Sequence, residues 1–253
     1  MNMNQSTTSP ILFGHRGASL HAPENTLAAF KLAYKYGADG IELDAKLTRD
    51  EKVVVIHDAT VDRTCNGTGA VRYMTLNEIR ALDAGGKFDP KYKGEKIPTL
   101  DEVFESLGKK LLINVELTNY ANPKDDLPEK VTELVKRHKL ENDILFSSFH
   151  PMTLRRIQEL LPGTPAGLLA FPGLPGVLSR SFIGKRWSPS LIHPYFSDVN
   201  ERFVKKEIRW GRKINVWTVD DKAEMERLIH LGINGLITDN IPLAIQVRKS
   251  LNK

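Results

Sequence analysis

The sequence predicts a single (β/α)8 barrel, an α/β fold of the TIM-barrel type. Eight short runs rich in leucine or β-branched residues recur along the chain, and segments with helical spacing of apolar residues separate them. Eight strands and eight helices in about 250 residues are the count and size of such a barrel, and this chain has 253. A third observation is chemical: acidic and imidazole side chains gather at the carboxyl ends of the expected strands, where barrels of this kind carry their active groups.

In chain order, the first run is 11–14, Ile-Leu-Phe-Gly, and a helical stretch at 25–36 follows it. The second run, 40–47, alternates so that Glu42 and Asp44 share one face while Leu43, Ala45 and Leu47 take the helix-covered side. Segment 53–58 begins too soon after Leu47 for a parallel crossover, which needs roughly ten or more residues, so it must return antiparallel. A two-residue turn at Asp50-Glu51 would pair Arg49 with Lys52 and, further out, Asp44 with His57. The excursion extends over about 52–98 and forms a small insertion after strand two. Alternation then resumes with strands at 111–117, 144–149, 166–170, 191–196, 214–219 and 235–239. Helices are expected at 100–107, 127–139, 151–161, 200–210, 221–231 and 242–251, with a weaker pattern near 176–187. Gly108, Gly211, Gly232 and the Asn142-Asp143 pair sit where a helix must stop or a strand begin. Residues 1–9 are expected to be a disordered tail and 10–253 the barrel.

Composition narrows the function classes. The excess of 36 Lys and Arg over 31 Asp and Glu gives a formal charge of +5, and no basic and aromatic residues combine as a nucleic-acid groove would require. No stretch approaches the roughly 18 apolar residues of a membrane span, and the N-terminal residues lack the basic and apolar regions of a secretory signal. The lone Cys65 cannot build an intrachain disulfide, a cysteine zinc site or an iron–sulfur cluster. These observations predict a soluble, cytoplasmic protein without stable membrane insertion.

Strand one ends in His15-Arg16-Gly17, strand two carries Glu42 and Asp44, strand three carries Glu116, and the hairpin returns His57-Asp58. Three carboxylates without a sulfur ligand suit a hard cation, Mg²⁺ or Ca²⁺, rather than Zn²⁺. Two histidines beside it supply the proton acceptor and donor that phosphodiester cleavage needs, and Arg16 can hold phosphate oxygens. Taken singly, His15 could be a strand-end residue bonded to backbone and His57 a prop for Asp44. Three acids converging on the same mouth favour the functional reading, because they are costly to bury without a cation.

The stretches FGHRGAS, HAPENTLAAF, GIELDAKLT, VVVIHDATVDRTCNGTG, NVELT, NVWTVD and GLITDNIP resemble, in order and spacing, the glycerophosphodiester phosphodiesterase family of the bacterial cytosolic type, from Ile11 to about Pro242. That resemblance implies a metal-dependent barrel that splits glycerophosphodiesters into sn-glycerol 3-phosphate and an alcohol. It implies Glu42, Asp44 and Glu116 as metal ligands, His15 and His57 as the acid–base pair, Arg16 at the phosphate and Trp217 lining the pocket. Both direct water attack and a cyclic phosphate intermediate are compatible with these residues, and either histidine can be the acid. Two rival readings are a lysophospholipase D or phospholipase C-like action on acylated lipids, and a barrel that only binds a phosphorylated ligand.

One position departs from the family pattern: Thr118 stands where many members carry lysine after Glu-x. Lys46, on the same face of strand two as Asp44, is expected to take over that charge in substrate binding. Segment 171–187 interleaves large apolar residues with Arg180, Lys185 and Arg186, a mixture suited to weak contact with an anionic interface, although a barrel helix with its apolar side buried is the more ordinary reading. Glu24-Asn25-Thr26 is expected to cap the first helix, a site role being the lesser alternative that the family resemblance implies.

Overall fold

A computed structural model describes residues 9–251; residues 1–8, most of the expected tail, lie outside the described residues. The strands are β1 (Ile11–Gly14), β2 (Gly40–Leu47), β3 (Val53–Val55), β4 (Leu112–Leu117), β5 (Ile144–Ser148), β6 (Ala166–Ala170), β7 (Leu191–Pro194), β8 (Lys213–Val216) and β9 (Gly235–Thr238). The helices are α1 (Leu27–Tyr36), α2 (Leu76–Ala81), α3 (Leu100–Leu107), α4 (Leu127–His138), α5 (Pro151–Leu160), α6 (Phe182–Trp187), α7 (Glu201–Arg209), α8 (Lys222–His230) and α9 (Ile241–Leu251). All strands but β3 pair in parallel with their neighbours, and β1 meets both β2 and β9, so the sheet closes into an eight-stranded (β/α)8 barrel.

Strand alternation divides the apolar residues into two sets. Leu43, Ala45, Val115, Phe146 and Leu168 face outward into the layer filled by the helices, while Phe13, Leu112, Leu145, Leu191 and Ile237 plug the barrel interior. In the β2–β4 register Glu42 lies beside Asn114 and Asp44 beside Glu116. The sites of these carboxylates are therefore set by the same pleat that buries their hydrophobic neighbours. Helix ends follow local chemistry: Thr26 caps α1 by accepting from Ala29 N, and left-handed Gly37 closes it.

The hairpin register differs from the sequence expectation by one residue. Leu47 faces Val53 and Ala45 faces Val55, so Asp44 lies opposite Ile56, whose N–H donates to Asp44 O at 2.9 Å, and not opposite His57. The turn contains three residues, not two. Glu51 adopts a left-handed conformation (φ 56) after a turn closed by its N–H on Thr48 O, and the Thr48 hydroxyl accepts from Lys52 N. A one-residue slip would send His57 to the far side of a continued strand. Strand β3 stops at Val55, however, and the chain bends so that His57 still lines the barrel mouth.

The insertion that follows has its own small core of Val54, Ile56, Val61, Val71, Ile79 and Ile97, all buried. Each such side chain is worth roughly 1.5–3 kcal/mol relative to exposure, so the segment is a packed layer and fixes the residues it presents to the mouth. Among the described residues no helix is long and apolar enough to cross a membrane.

Candidate active site

The carboxyl ends of the strands surround a pocket lined by His15, Arg16, Glu42, Asp44, His57 and Glu116, with Asn114 and Trp217 among its other walls. A wider groove of about 710 Å³ runs over α2, α3 and α4, but its charged side chains pair with one another, as in Arg80–Glu102, Lys130–Glu51 and Arg137–Asp101. Chemistry converges on the barrel mouth instead. Among the described residues, Glu42, Asp44 and Glu116 are the one group of three acidic, imidazole or thiol side chains with an atom from each within 4.8 Å of the others.

Glu42 and Asp44 are buried, and the three carboxylates repel one another. Burial first, then the charges of Asp44 and Glu116, push the Glu42 carboxyl well above the usual range. Burial and Asp44 push Glu116 up to about 8, against the opposing pull of the Tyr120 hydroxyl, which donates to Glu116 Oε1 at 2.5 Å. Two backbone features hold the trio. Arg16, left-handed at φ 55 where β1 gives way to the first loop, directs its N–H onto Glu42 Oε2 at 3.1 Å; Asn25, left-handed at φ 56, donates from Nδ2 to Asp44 Oδ2 at 2.8 Å. Non-glycine residues in this conformation are uncommon, and here both serve the mouth.

Each histidine is held through Nδ1 by an aspartate. His15 Nδ1 donates to Asp239 Oδ1 at 2.7 Å, and the Ser19 hydroxyl donates to the same oxygen. Burial raises the Asp239 carboxyl, but the hydrogen bond and charge of His15 outweigh it and hold it below the ordinary range. His57 Nδ1 donates to Asp58 Oδ1 at 2.6 Å. Asp58 is lowered to about 2, chiefly by the Arg63 guanidinium, with His57 adding to the pull against partial burial. In this tautomer both rings keep Nε2 free of the aspartates.

Arg63 belongs to the insertion and grips two acids at once. It meets Asp58 through Nε at 2.7 Å and Glu24 through Nη1 at 2.7 Å and Nη2 at 2.8 Å. Glu24 in turn accepts from Arg16 Nη1 at 2.9 Å, and Arg16 Nε lies 3.5 Å from Asp44 Oδ2 without a hydrogen-bond partner. An unbroken chain, His57–Asp58–Arg63–Glu24–Arg16, thus joins the second histidine to the arginine beside the carboxylates.

The pocket brings together every residue singled out by the sequence except Lys46, whose Nζ donates to Thr118 Oγ1 at 2.7 Å and to Thr118 O at 3.3 Å. The lysine is tied to the very residue whose missing charge it was expected to replace. Trp217 is anchored by its Nε1–H on His193 O at 2.8 Å and meets Phe149 edge to face. Helix capping is the work of Thr26 alone, while Glu24 and Asn25 turn to the mouth. Of the partners Asp239, Glu24, Asn25, Arg63 and Tyr120, only Glu24 and Asn25 had a site role from the sequence, as the lesser alternative to capping. The stretches HAPENT, HDATVDRT and TDN, which carry four of the five, were the available signal.

Fold and site together are those of a barrel hydrolase acting on phosphodiesters. The family model of the glycerophosphoryl diester phosphodiesterases matches residues 15–243, and the chain belongs to that family. A glycerophosphodiester phosphodiesterase of Caldanaerobacter subterraneus subsp. tengcongensis is 43% identical over 231 residues, covering 91% of this chain and 94% of that protein. The crystal structure of the glycerophosphodiester phosphodiesterase of Agrobacterium tumefaciens aligns with a TM-score of 0.82 at 33% identity over 94% of this chain and 99% of that one. A phosphodiesterase of Oleispira antarctica, solved with the product sn-glycerol-3-phosphate, aligns at 0.85 and 27% identity over 97% and 98% of the two chains.

Proposed function

We propose that this chain hydrolyses glycerophosphodiesters to sn-glycerol 3-phosphate and an alcohol, with His15 and His57 as general acid and base beside a divalent cation. The carrying observation is the convergence of two aspartate-held histidines with three crowded carboxylates at one barrel mouth. The product bound by the Oleispira relative is consistent with it. Incubation with glycerophosphocholine, followed by detection of glycerol 3-phosphate, tests the reading; choline phosphate in its place would overturn it.

The donor set fits Mg²⁺ or Ca²⁺: three oxygen ligands in Glu42, Asp44 and Glu116, crowded within 4.8 Å against their mutual repulsion, and Asn114 Oδ1 buried nearby without a partner. Such a cation offsets negative charge on the phosphate oxygens. The protein's own residues do the rest. His15 and His57 exchange protons through Nε2, and the Nδ1 aspartates orient each ring. Arg16, with Nε unpartnered, is available to phosphate. Trp217 lines the pocket, held by its hydrogen bond to His193 O. Action on acylated lipids is a second reading, favoured by Phe149 at the pocket wall and Phe171 stacked on it at 4.1 Å. Choline release from glycerophosphocholine and lysophosphatidylcholine, measured side by side, separates the two.

Arg63 is a positioning residue in this scheme. Arg63→Ala is expected to lower kcat roughly 10- to 100-fold, the usual cost of losing a supporting partner, while KM moves less. Steady-state kinetics with a thermal melt check it; a fall in Tm that accounts for the loss, at normal kcat per folded enzyme, would leave Arg63 only structural.

Lys46 lies between the charges of Asp44, Glu116 and Asp58, and burial lowers its pKa. Lys46→Ala is expected to raise KM about tenfold, the scale of one charge-assisted hydrogen bond, and Thr118→Lys in that background to recover it. An unchanged kcat/KM would leave phosphate to Arg16 and the cation alone.

A further inference from the structure

The loop and short helix between β6 and β7 present an apolar surface beside the barrel mouth. Phe171, Leu174, Val177, Leu178, Phe182 and Ile183 are all exposed, Leu174 to 87%, over a span of thirteen residues. Large apolar side chains exposed singly are unremarked on any protein, but six in one continuous segment mark an interaction site. The more ordinary arrangement, a barrel helix with its apolar side buried, is not the one adopted. In α6 the buried position is Gly184, while Phe182, Ile183 and Arg186, at spacings that share one helix face, point outward.

This exposure is built into the loop. Arg180 fills its inside: Nη1 donates to Phe171 O at 2.7 Å and to Asp198 Oδ2 at 2.9 Å, Nη2 donates to Gly173 O at 2.5 Å, and Asp198 also accepts from Gly173 N. Gly176 is wound so closely against Phe171 O and Arg180 that a Cβ there would collide with both. With the interior occupied by an ion pair and backbone, the apolar side chains have no space into which to retract.

We propose that this surface docks on an anionic phospholipid bilayer and sets the barrel mouth against it. Three properties select that occupant. Segment 171–187 contains no acidic residue, and with Arg180 spent on Asp198 it keeps Lys185 and Arg186, the latter exposed on the same face as Phe182 and Ile183. Apolar residues mixed with cations are the composition of an interfacial anchor, which inserts the first and pairs the second with lipid phosphates. The surface also adjoins the active site, since Phe171 stacks on Phe149 of the pocket wall. A second copy of the chain is the poorer fit, because a two-fold contact would set Arg186 and its neighbours against themselves. Docking of this kind brings the site to the surface where deacylated and partly deacylated phospholipids arise.

Vesicle binding is read without turnover, so its outcome is separate from the catalytic reading above. The full chain is sedimented with vesicles of phosphatidylcholine and phosphatidylglycerol in equal parts, and with phosphatidylcholine alone. Binding to the mixed vesicles, weakened by salt, and none to the neutral ones is expected. Leu174→Asp and Ile183→Asp should each lower the partition coefficient about tenfold or more, the effect of withdrawing one apolar side chain, and Arg186→Glu should lower it as well. Hydrolysis of soluble glycerophosphocholine by the three variants should equal that of the unaltered chain, which also certifies their folding. The proposal is overturned by absence of binding to the mixed vesicles, by binding that none of the substitutions alters, or by a dimer in sedimentation velocity that Leu174→Asp dissociates.

Discussion

Stripping divalent cations is expected to abolish turnover, and adding Mg²⁺ or Ca²⁺ to restore it. The physical ground is the crowding of Glu42, Asp44 and Glu116, whose oxygens fall within 4.8 Å of each other at a site mostly withdrawn from water. Without a cation the cluster opposes a phosphate diester as strongly as it opposes itself. The same crowding predicts a stability signature. Glu116 sits at about 8 in the folded chain against an ordinary 4.5, and Glu42 is also raised. A carboxyl with a raised folded pKa binds more protons folded than unfolded. The cation-free protein should therefore lose stability as pH climbs from about 4.5 through 8. A cation that needs these groups ionised binds better as pH rises. Thermal melts in EDTA and in Mg²⁺ should consequently diverge with pH. At about 100 times its Kd a ligand adds about 2.7 kcal/mol, roughly 5–10 °C in Tm for a chain of this size. A cation-induced shift that is absent at pH 8, or full activity after exhaustive chelation, would remove the carboxylates from the role given to them.

The carboxylates, His15 and Arg16 were legible in the sequence because a strand fixes each of them. Alternation puts Glu42, Asp44 and Glu116 on the interior face whatever the loops do, and His15 and Arg16 follow β1 directly. The hairpin was less legible. Its register rests on the left-handed backbone of Glu51, a residue with no glycine-like signal for that conformation, and one extra turn residue moved Asp44 from His57 to Ile56. The supporting contacts were illegible for a different reason. His15 and Asp239 are 224 residues apart and meet only because β9 closes against β1; Glu24 and Arg63 meet across 39 residues because the insertion folds over the first loop. Such contacts belong to closure and loop packing, which periodicity does not report. Segment 171–187 shows a related limit. Its apolar residues read more readily as a buried helix face, and it is the Arg180–Asp198 pair filling the loop that leaves them outside.

His15→Ala and His57→Ala are each expected to lower kcat at least about 100-fold, the scale of a lost general acid or base. Folding should survive both, since His57 is 43% exposed and removal of His15 leaves Asp239 the Ser19 hydroxyl as a partner. The two variants can then be told apart by the leaving group. The acid is needed because a departing choline alkoxide is strongly basic, whereas the base is needed to activate the nucleophile whatever departs. A glycerophosphoryl ester of p-nitrophenol, a far more acidic alcohol, should therefore restore most of the rate to the variant that lacks the acid and little to the one that lacks the base. Environment offers no decisive ranking, because each ring is held at Nδ1 by an aspartate at nearly the same distance, 2.7 Å for His15 and 2.6 Å for His57. The activated ester reads the roles directly. If it rescues neither variant, proton donation to the leaving alcohol is not the work of these histidines, and near-normal kcat in either variant with glycerophosphocholine would remove that residue from the mechanism.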